Sequence, residues 1–208
     1  MLPLSDLFFF AVAALGLVIS PGPNMIYLIS RSIVQGKRAG LISLAGVICG
    51  FLFHIILVSF GLTTLLFAVP FAYAALKIVG VIYLLYLAWQ AIRGDSPFET
   101  KDLPKDKPLK LFRMGFFTNV LNPKVAVFYV SFFPQFVKPE LGNVLYQNLL
   151  LGLVQVSVSF SVNFIIVLTA TRFALFFNQN PRWIRFQKWF MAGILTGLAA
   201  KLAFDKVK

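Results

Sequence analysis

From Leu41 to Leu76 the chain carries no Lys, Arg, Asp or Glu, and from Pro139 to Thr171 it carries only Glu140. A helix needs about 20 predominantly apolar residues to cross the hydrocarbon of a bilayer, and both stretches are longer than that. The rest of the composition agrees: 59% hydrophobic residues, 12% charged residues and a mean hydropathy of +0.85 lie far from soluble domains. The sequence therefore predicts an all-α, multi-pass integral membrane protein.

Six apolar segments follow one another, at about 7–30, 39–69, 71–92, 112–137, 144–171 and 186–204. Residues 93–113 form the only substantial polar segment; three prolines and ten charges of both signs read as a solvated loop. The 208 residues form a single membrane domain. Lys and Arg set its orientation. Thirteen fall in the first, third and fifth loops and four on the opposite side, with Lys77 and Lys124 inside spans. The 93–113 loop is accordingly expected in the cytoplasm of a bacterial inner-membrane protein, with both termini outside. The sixth span is the exception in this count. A tail lying on the cytoplasmic surface satisfies the cations better, whereas an internal repeat requires the span.

Charge and cysteine content narrow the function classes. The net charge of +12 is spread between apolar blocks and forms no basic patch interleaved with aromatics, so it reads as topology and not nucleic-acid binding. A single cysteine, Cys49, excludes an internal disulfide, a CxxC redox pair and a thiolate metal cage. No metal or cofactor site is expected. The first six residues lack Lys and Arg, so no cleavable signal is expected either. Trp89, Trp183 and Trp189 lie near span ends, as interfacial anchors do.

Two spans contain residues that a lipid-facing helix rejects. In the first, Ser20-Pro21-Gly22-Pro23-Asn24 interrupts the apolar run. Pro21 disfavours helical geometry at Ser20, Gly22 accepts any backbone angle, and Pro23 suits the first turn of a restarted helix. In the fourth, Asn122 is a good N-cap and Pro123 a good first-turn residue. At about 1.5 Å per residue, Asn122 lies about 15 Å from Phe112, and Gly22 lies about 14 Å from Arg31. Both breaks are thus expected near mid-membrane, where irregular backbone must be buried or line a wet cavity.

Pro23 and Pro123 are 100 residues apart, each in the opening span of a group of three. GVIYLLYLAW from Gly80 faintly echoes GILTGLAAKL from Gly193. An odd number of spans per group inverts the second relative to the first. The expected fold is therefore six transmembrane helices as two inverted three-helix repeats, about 1–92 and 112–204, with helices 1 and 4 broken. Secondary transporters recurrently use this plan, with binding at the interface of the breaks.

Both restarted half-helices direct N–H groups and positive dipole ends inward. Lys124 stands in the first turn of one of them, while Lys77 lines the same region or snorkels to the surface. Every acid lies at a span end or in a loop. An electropositive cavity of this kind suits a carboxylate-bearing ligand and argues against a metal-cation pump. His54, midway along the second span, titrates near neutrality and is either a proton-coupling group or a histidine satisfied by a neighbouring helix. Ser157, Ser159, Ser161 and Asn163 line the cavity or bond between helices; Gly46–Gly50 and Gly193–Gly197 have the spacing of close helix packing.

SPGPN at 20–24, QGKRAGLISLAGVICG at 35–50, LKIVGVIYLLYLAWQAIRG at 76–94 and GFFTNVLNPKVAVFYVSFFPQF at 115–136 occur in the order and spacing of one family. On these motifs the chain resembles the LysE-type amino-acid exporters, especially the homoserine, threonine and leucine branch. The resemblance implies six helices, efflux of small amino acids or derivatives, and coupling to the proton gradient. It maps substrate contact onto Pro21, Gly22, Pro23, Asn24, Asn122, Pro123 and Lys124, with Lys77 and Tyr83 on the third span. The expected partners are an amino-acid substrate and the bilayer, with a homo-oligomer left open. The competing reading is a channel, or an exporter for another small solute or ion. An enzyme is disfavoured, because the spans supply no nucleophile–base pair, metal cluster or carboxylate pair.

Overall fold

The computed structural model describes residues 2–19, 22–62, 105–179 and 181–204, together with nine positions between Ile78 and Arg93. Among these residues every regular element is helical and no strand occurs. Helix α1 (Leu4–Ile19) and helix α2 (Pro23–Gln35) diverge by 55° across the first break. Gly36, at φ +83°, reverses the chain in a conformation that favours glycine, and α3 (Lys37–Leu57) follows at once, continuing through a π-helical turn to Leu62. Helix α4 (Pro108–Val120) stops at the second break; α5 (Pro123–Val127) restarts there and runs on through π and 3-10 turns to Phe136. Helices α6 (Val144–Gln179) and α7 (Pro181–Phe204) complete the chain.

These boundaries amend the sequence reading in three places. The fourth helix begins at Pro108, not near 112, so the end of the polar loop is already helical. The fifth apolar segment belongs to a helix reaching Gln179, and the sixth begins at Pro181 instead of 186. Lys37–Phe60 and Val144–Arg172 are each long and apolar enough to cross a membrane, and the bent α1–α2 pair makes a third such unit. Most of the third span, including Lys77 and Tyr83, lies outside the described residues, as do Ser20 and Pro21. Its described Ala88 belongs to a cluster with Ala192 and Ala199 of α7.

The core is aromatic where the two broken helices meet. Phe10 of α1 is fully buried and meets Phe133 edge-on at 5.4 Å and Phe136 at 5.2 Å. The opposite face of α1, with Phe8, Phe9 and Val12, is exposed, as a lipid-facing surface requires. A different contact joins α3 to α4. A Cβ on Gly46 would overlap the Phe112 carbonyl, one on Gly115 would overlap the Ser43 carbonyl, and one on Gly50 would meet the Asn119 side chain. The two backbones touch because both helices are bare at the contact. Gly193 and Gly197, with the same spacing, have no atom within 4 Å of such a Cβ among the described residues and show no comparable seam. Tyr27 of α2 ties into this pair: its hydroxyl donates to the Leu111 carbonyl at 2.7 Å and accepts from the Ser43 hydroxyl at 3.1 Å.

Ion pairs centred on two acids close the ends. Arg31 near the end of α2 contacts Asp106, just before α4, at 2.6 Å, and Lys110 contacts the same carboxylate at 2.6 Å. Asp6 in the first turn of α1 contacts Lys138, beyond α5, at 2.5 Å. The hydrogen bond from Lys110, with Arg31 beside it, holds the Asp106 carboxyl below the usual carboxylate range. A depressed carboxylate contributes stability that is complete above its unfolded value and disappears as pH falls through the folded one. The Asp106 contacts therefore persist at neutral pH and are lost only in strong acid.

The glycine seam generates a stability prediction. Gly46→Val forces α3 and α4 apart, an overpacking that costs about 1–3 kcal/mol, whereas Gly193→Ala is close to neutral. Thermal unfolding of the purified protein in detergent measures both.

Candidate functional site

The two breaks converge. Gly22 is extended at φ −179°, ψ 179°, no side chain caps α2, and Pro23 occupies its first turn. At the other break Asn122 (φ −73°, ψ 110°) caps α5, its side-chain oxygen accepting the Lys124 backbone N–H at 3.1 Å. The Asn122 amide has donors left over, and its Nδ2 donates to Oδ1 of Asn24 at 3.2 Å. Asn24 and Asn122 are both buried, so this bond is made away from water. A polar residue placed beside each interruption thus finds its partner at the other.

Lys124, 8% exposed, stands in the first turn of α5 beside this bond. With Asn24, Asn163 and the apolar side chains of Leu17, Val18 and Phe51 it lines a cavity of about 20 Å³, room for a single water molecule and far less than an amino acid. Among the described residues no carboxylate lines this cavity. Among the described residues no group of His, Cys, Asp and Glu is arranged to hold a metal ion. A wider cleft of about 860 Å³ opens beside the breaks, running from Lys107, Lys110 and Arg113 to Pro23 and Asn122.

Helix α6 supplies the inner wall. Gln155, Ser159 and Asn163 recur every four residues and are all buried, whereas Ser157 and Ser161 are exposed and the Ser161 hydroxyl bonds back to the Ser157 carbonyl. The Tyr129 hydroxyl donates to Gln155 Oε1 at 2.7 Å, Gln155 Nε2 donates to the Ser159 hydroxyl at 2.7 Å, and Asn163 Nδ2 donates to the Ser159 carbonyl at 2.8 Å. This chain of bonds orients Asn163 at the cavity. Its four-residue spacing was the available signal, and it assigns Ser159 and Asn163 inward and the other two serines outward.

The structure brings Gly22, Pro23, Asn24, Asn122, Pro123 and Lys124 together. His54 stands apart from the cavity; its ring stacks on Tyr129 at 5.1 Å, and its Nε2 has no hydrogen-bond partner among the described residues. Among the described residues it is linked to the site by its stack on Tyr129, which leads to the Gln155–Ser159–Asn163 bonds, and by hydrogen bonding to the backbone at Asn119 and Val120 before the break. Asn119, fully buried one turn before the break and against Gly50, escaped the sequence reading. Pro21, Lys77 and Tyr83 lie outside the described residues.

The family described as LysE type translocator matches residues 7–206 of this chain. A homoserine/homoserine lactone efflux protein of Salmonella typhimurium is 33% identical over 170 residues, covering 81% of this chain and 79% of that protein. Its counterpart in Salmonella typhi is 32% identical over the same length. An uncharacterised membrane protein of Pseudomonas aeruginosa is 26% identical across 97% of this chain and 96% of its own. No solved structure matches.

The shared role of Asn122 can be tested directly. Asn122→Ala removes a cap and leaves the Asn24 carbonyl oxygen without this donor, and costs about 1–3 kcal/mol. Asn122→Ser keeps a neutral N-cap oxygen and gives up the Nδ2 donor to Asn24, so its thermal unfolding temperature falls between those of Asn122→Ala and the parent.

Proposed function

The chain belongs to the LysE type translocator family, a family of transporters and not of enzymes, and we propose that it is a secondary transporter exporting small neutral amino acids or their derivatives from the cytoplasm. Homoserine, threonine, leucine and close analogues form the substrate class, and the proton gradient is the driving force. The observation that carries the proposal is the buried Asn24–Asn122–Lys124 constellation, formed where two interrupted helices meet and facing a cavity with no carboxylate among its described lining residues.

In this reading Lys124 and the first turn of α2 receive the substrate carboxylate. The Asn24 and Asn163 carbonyl groups are the acceptors available to its ammonium. Neutral side chains then fit against Leu17, Val18 and Phe51, while a cationic side chain meets Lys124 with no compensating acid. The relatives that carry the name homoserine/homoserine lactone efflux protein support this class. A constriction with room for one water molecule supports an alternating-access carrier over a channel, whose pore would be continuous when conducting.

The arrangement in the bilayer follows the same proposal: a bacterial inner-membrane protein of six spans, two inverted repeats, a cytoplasmic 93–113 loop and external termini. His54 is the candidate proton-coupling group, acting through Tyr129 and the α6 polar face. Lys77 and Tyr83 are proposed as further contacts from the third span.

Transport into inverted vesicles tests the substrate class. Labelled homoserine, threonine or leucine is expected to accumulate under an imposed proton gradient, and lysine is not; accumulation of lysine alone refutes the electrostatic argument. Lys124→Ala removes a charge-assisted hydrogen bond of about 1.5–3 kcal/mol, so apparent affinity falls roughly tenfold to a hundredfold. Lys124→Arg, which keeps the charge with a different shape, retains more of it. Topology is read separately, with Cys49 replaced and single cysteines introduced by Ser96→Cys or Lys206→Cys. An impermeant thiol reagent on intact cells is expected to modify position 206 and spare position 96.

A further inference from the structure

We propose that the Arg31–Asp106 and Asp6–Lys138 ion pairs are the two gates of the transport route, both closed in this structure and opened one at a time. The inference rests on the transporter reading above, but not on the identity of the substrate.

Each pair joins the two broken helices, and the pairs lie on opposite sides of the Asn24–Asn122 contact. Arg31 is eight residues beyond Pro23, about 12 Å along α2, and Asp6 is sixteen residues before Gly22, about 24 Å along α1. Between them sits the cavity that admits no more than a water molecule. With both pairs formed, the site between them is constricted to that volume.

The pairs are also reciprocal. Asp6 and Asp106 are 100 residues apart, the same interval that separates Pro23 from Pro123. Each acid stands at the start of one broken helix, Asp6 in its first turn and Asp106 just before it, and clasps a cation beyond the break of the other: Asp106 holds Arg31, and Asp6 holds Lys138. The cations do not keep the 100-residue interval, so the acids alone carry the correspondence. A glutamine braces each clasp. Gln35 accepts the Asp106 backbone N–H at 2.9 Å. Gln147 accepts the Lys138 N–H at 2.8 Å and donates to its carbonyl at 2.8 Å. Surface ion pairs formed by chance have no such backing.

Ion pairs suit this task physically. An apolar plug that separates exposes hydrocarbon to water, whereas separated charges regain hydration in a filling vestibule. The closed and open forms of such a pair can therefore be close in free energy, while a single charge left buried is strongly disfavoured. The two gates differ in degree. Arg31 and Asp106 side chains are 8% and 6% exposed; Lys138 and Asp6 are 35% and 23% exposed. The Asp6–Lys138 gate is already partly hydrated and is the easier of the two to open.

A cysteine reporter in the cavity tests the gates. In a Cys49→Ala background, Val18→Cys places a thiol on the cavity wall, and its modification by an impermeant maleimide is followed in intact cells and in inverted vesicles. The parent is expected to react slowly from both faces. Asp106→Asn is expected to raise the rate at least tenfold from one face only, and Asp6→Asn from the opposite face only, whichever way the chain lies in the membrane. The charge-exchanged Arg31→Asp/Asp106→Arg variant is expected to return to the parental rate, which separates gating from loss of fold. Unchanged rates in both neutralised variants, or a rise from both faces that charge exchange does not reverse, overturn the proposal. No substrate enters the assay, so an incorrect substrate class leaves the outcome unaffected.

Discussion

An interrupted helix in an apolar interior leaves backbone donors and acceptors that lipid cannot satisfy, and this chain contains two such interruptions. They are made tolerable by being placed together. Asn122 covers the Lys124 N–H with its oxygen and spends its nitrogen on Asn24, so a single side chain serves its own break and ties it to the other. The aromatic packing of Phe10 against Phe133 and Phe136 holds the same two helices on one side of the crossing, and the Tyr27 hydroxyl holds α2 to α4 on the other. Move either break along its helix and the bond between the asparagines is lost. The site is thus less a pocket cut into a finished fold than the place where the fold repairs itself.

Local chemistry made the breaks legible in the sequence. Proline, glycine and asparagine act on the backbone within one or two residues, so the restart at Pro23 and the cap at Asn122 could be read without knowing what lies nearby. The same holds for Gly46 and Gly50, whose spacing alone suggested close packing. What could not be read depends on partners distant in sequence. Arg31 was counted only as a topology signal, although its charge is spent on Asp106; Asp6 and Lys138 looked like ordinary residues at span ends. Gly193–Gly197 shows the converse. Its spacing matches Gly46–Gly50, yet among the described residues no atom stands where a Cβ there would meet it. Helix ends erred for a related reason: apolarity marks where lipid starts, whereas helices α4, α6 and α7 continue into polar sequence.

Charge is sorted by position as much as by sign. With a net charge of +12 the chain has cations to spare, and Asp6 and Asp106 both sit where they neutralise a cation at the periphery. Among the described residues the middle is left to amides, hydroxyls, His54 and Lys124. An amide offers both a donor and an acceptor without the desolvation cost of an ion, so Asn24, Asn122 and Asn163 can meet either pole of a zwitterion while preferring neither. Lys124 supplies the bias.

The bare glycine seam between α3 and α4 has a mechanical consequence. Where backbones touch with no side chains between them, there is no layer to shear and no rotamer to yield, and the two helices behave as one plank. That plank takes one helix from the first half of the chain and one from the second. Stiffness therefore does not follow the order of the sequence, and any rocking of α1, α2 or α6 takes place against a strut to which both halves of the chain have contributed.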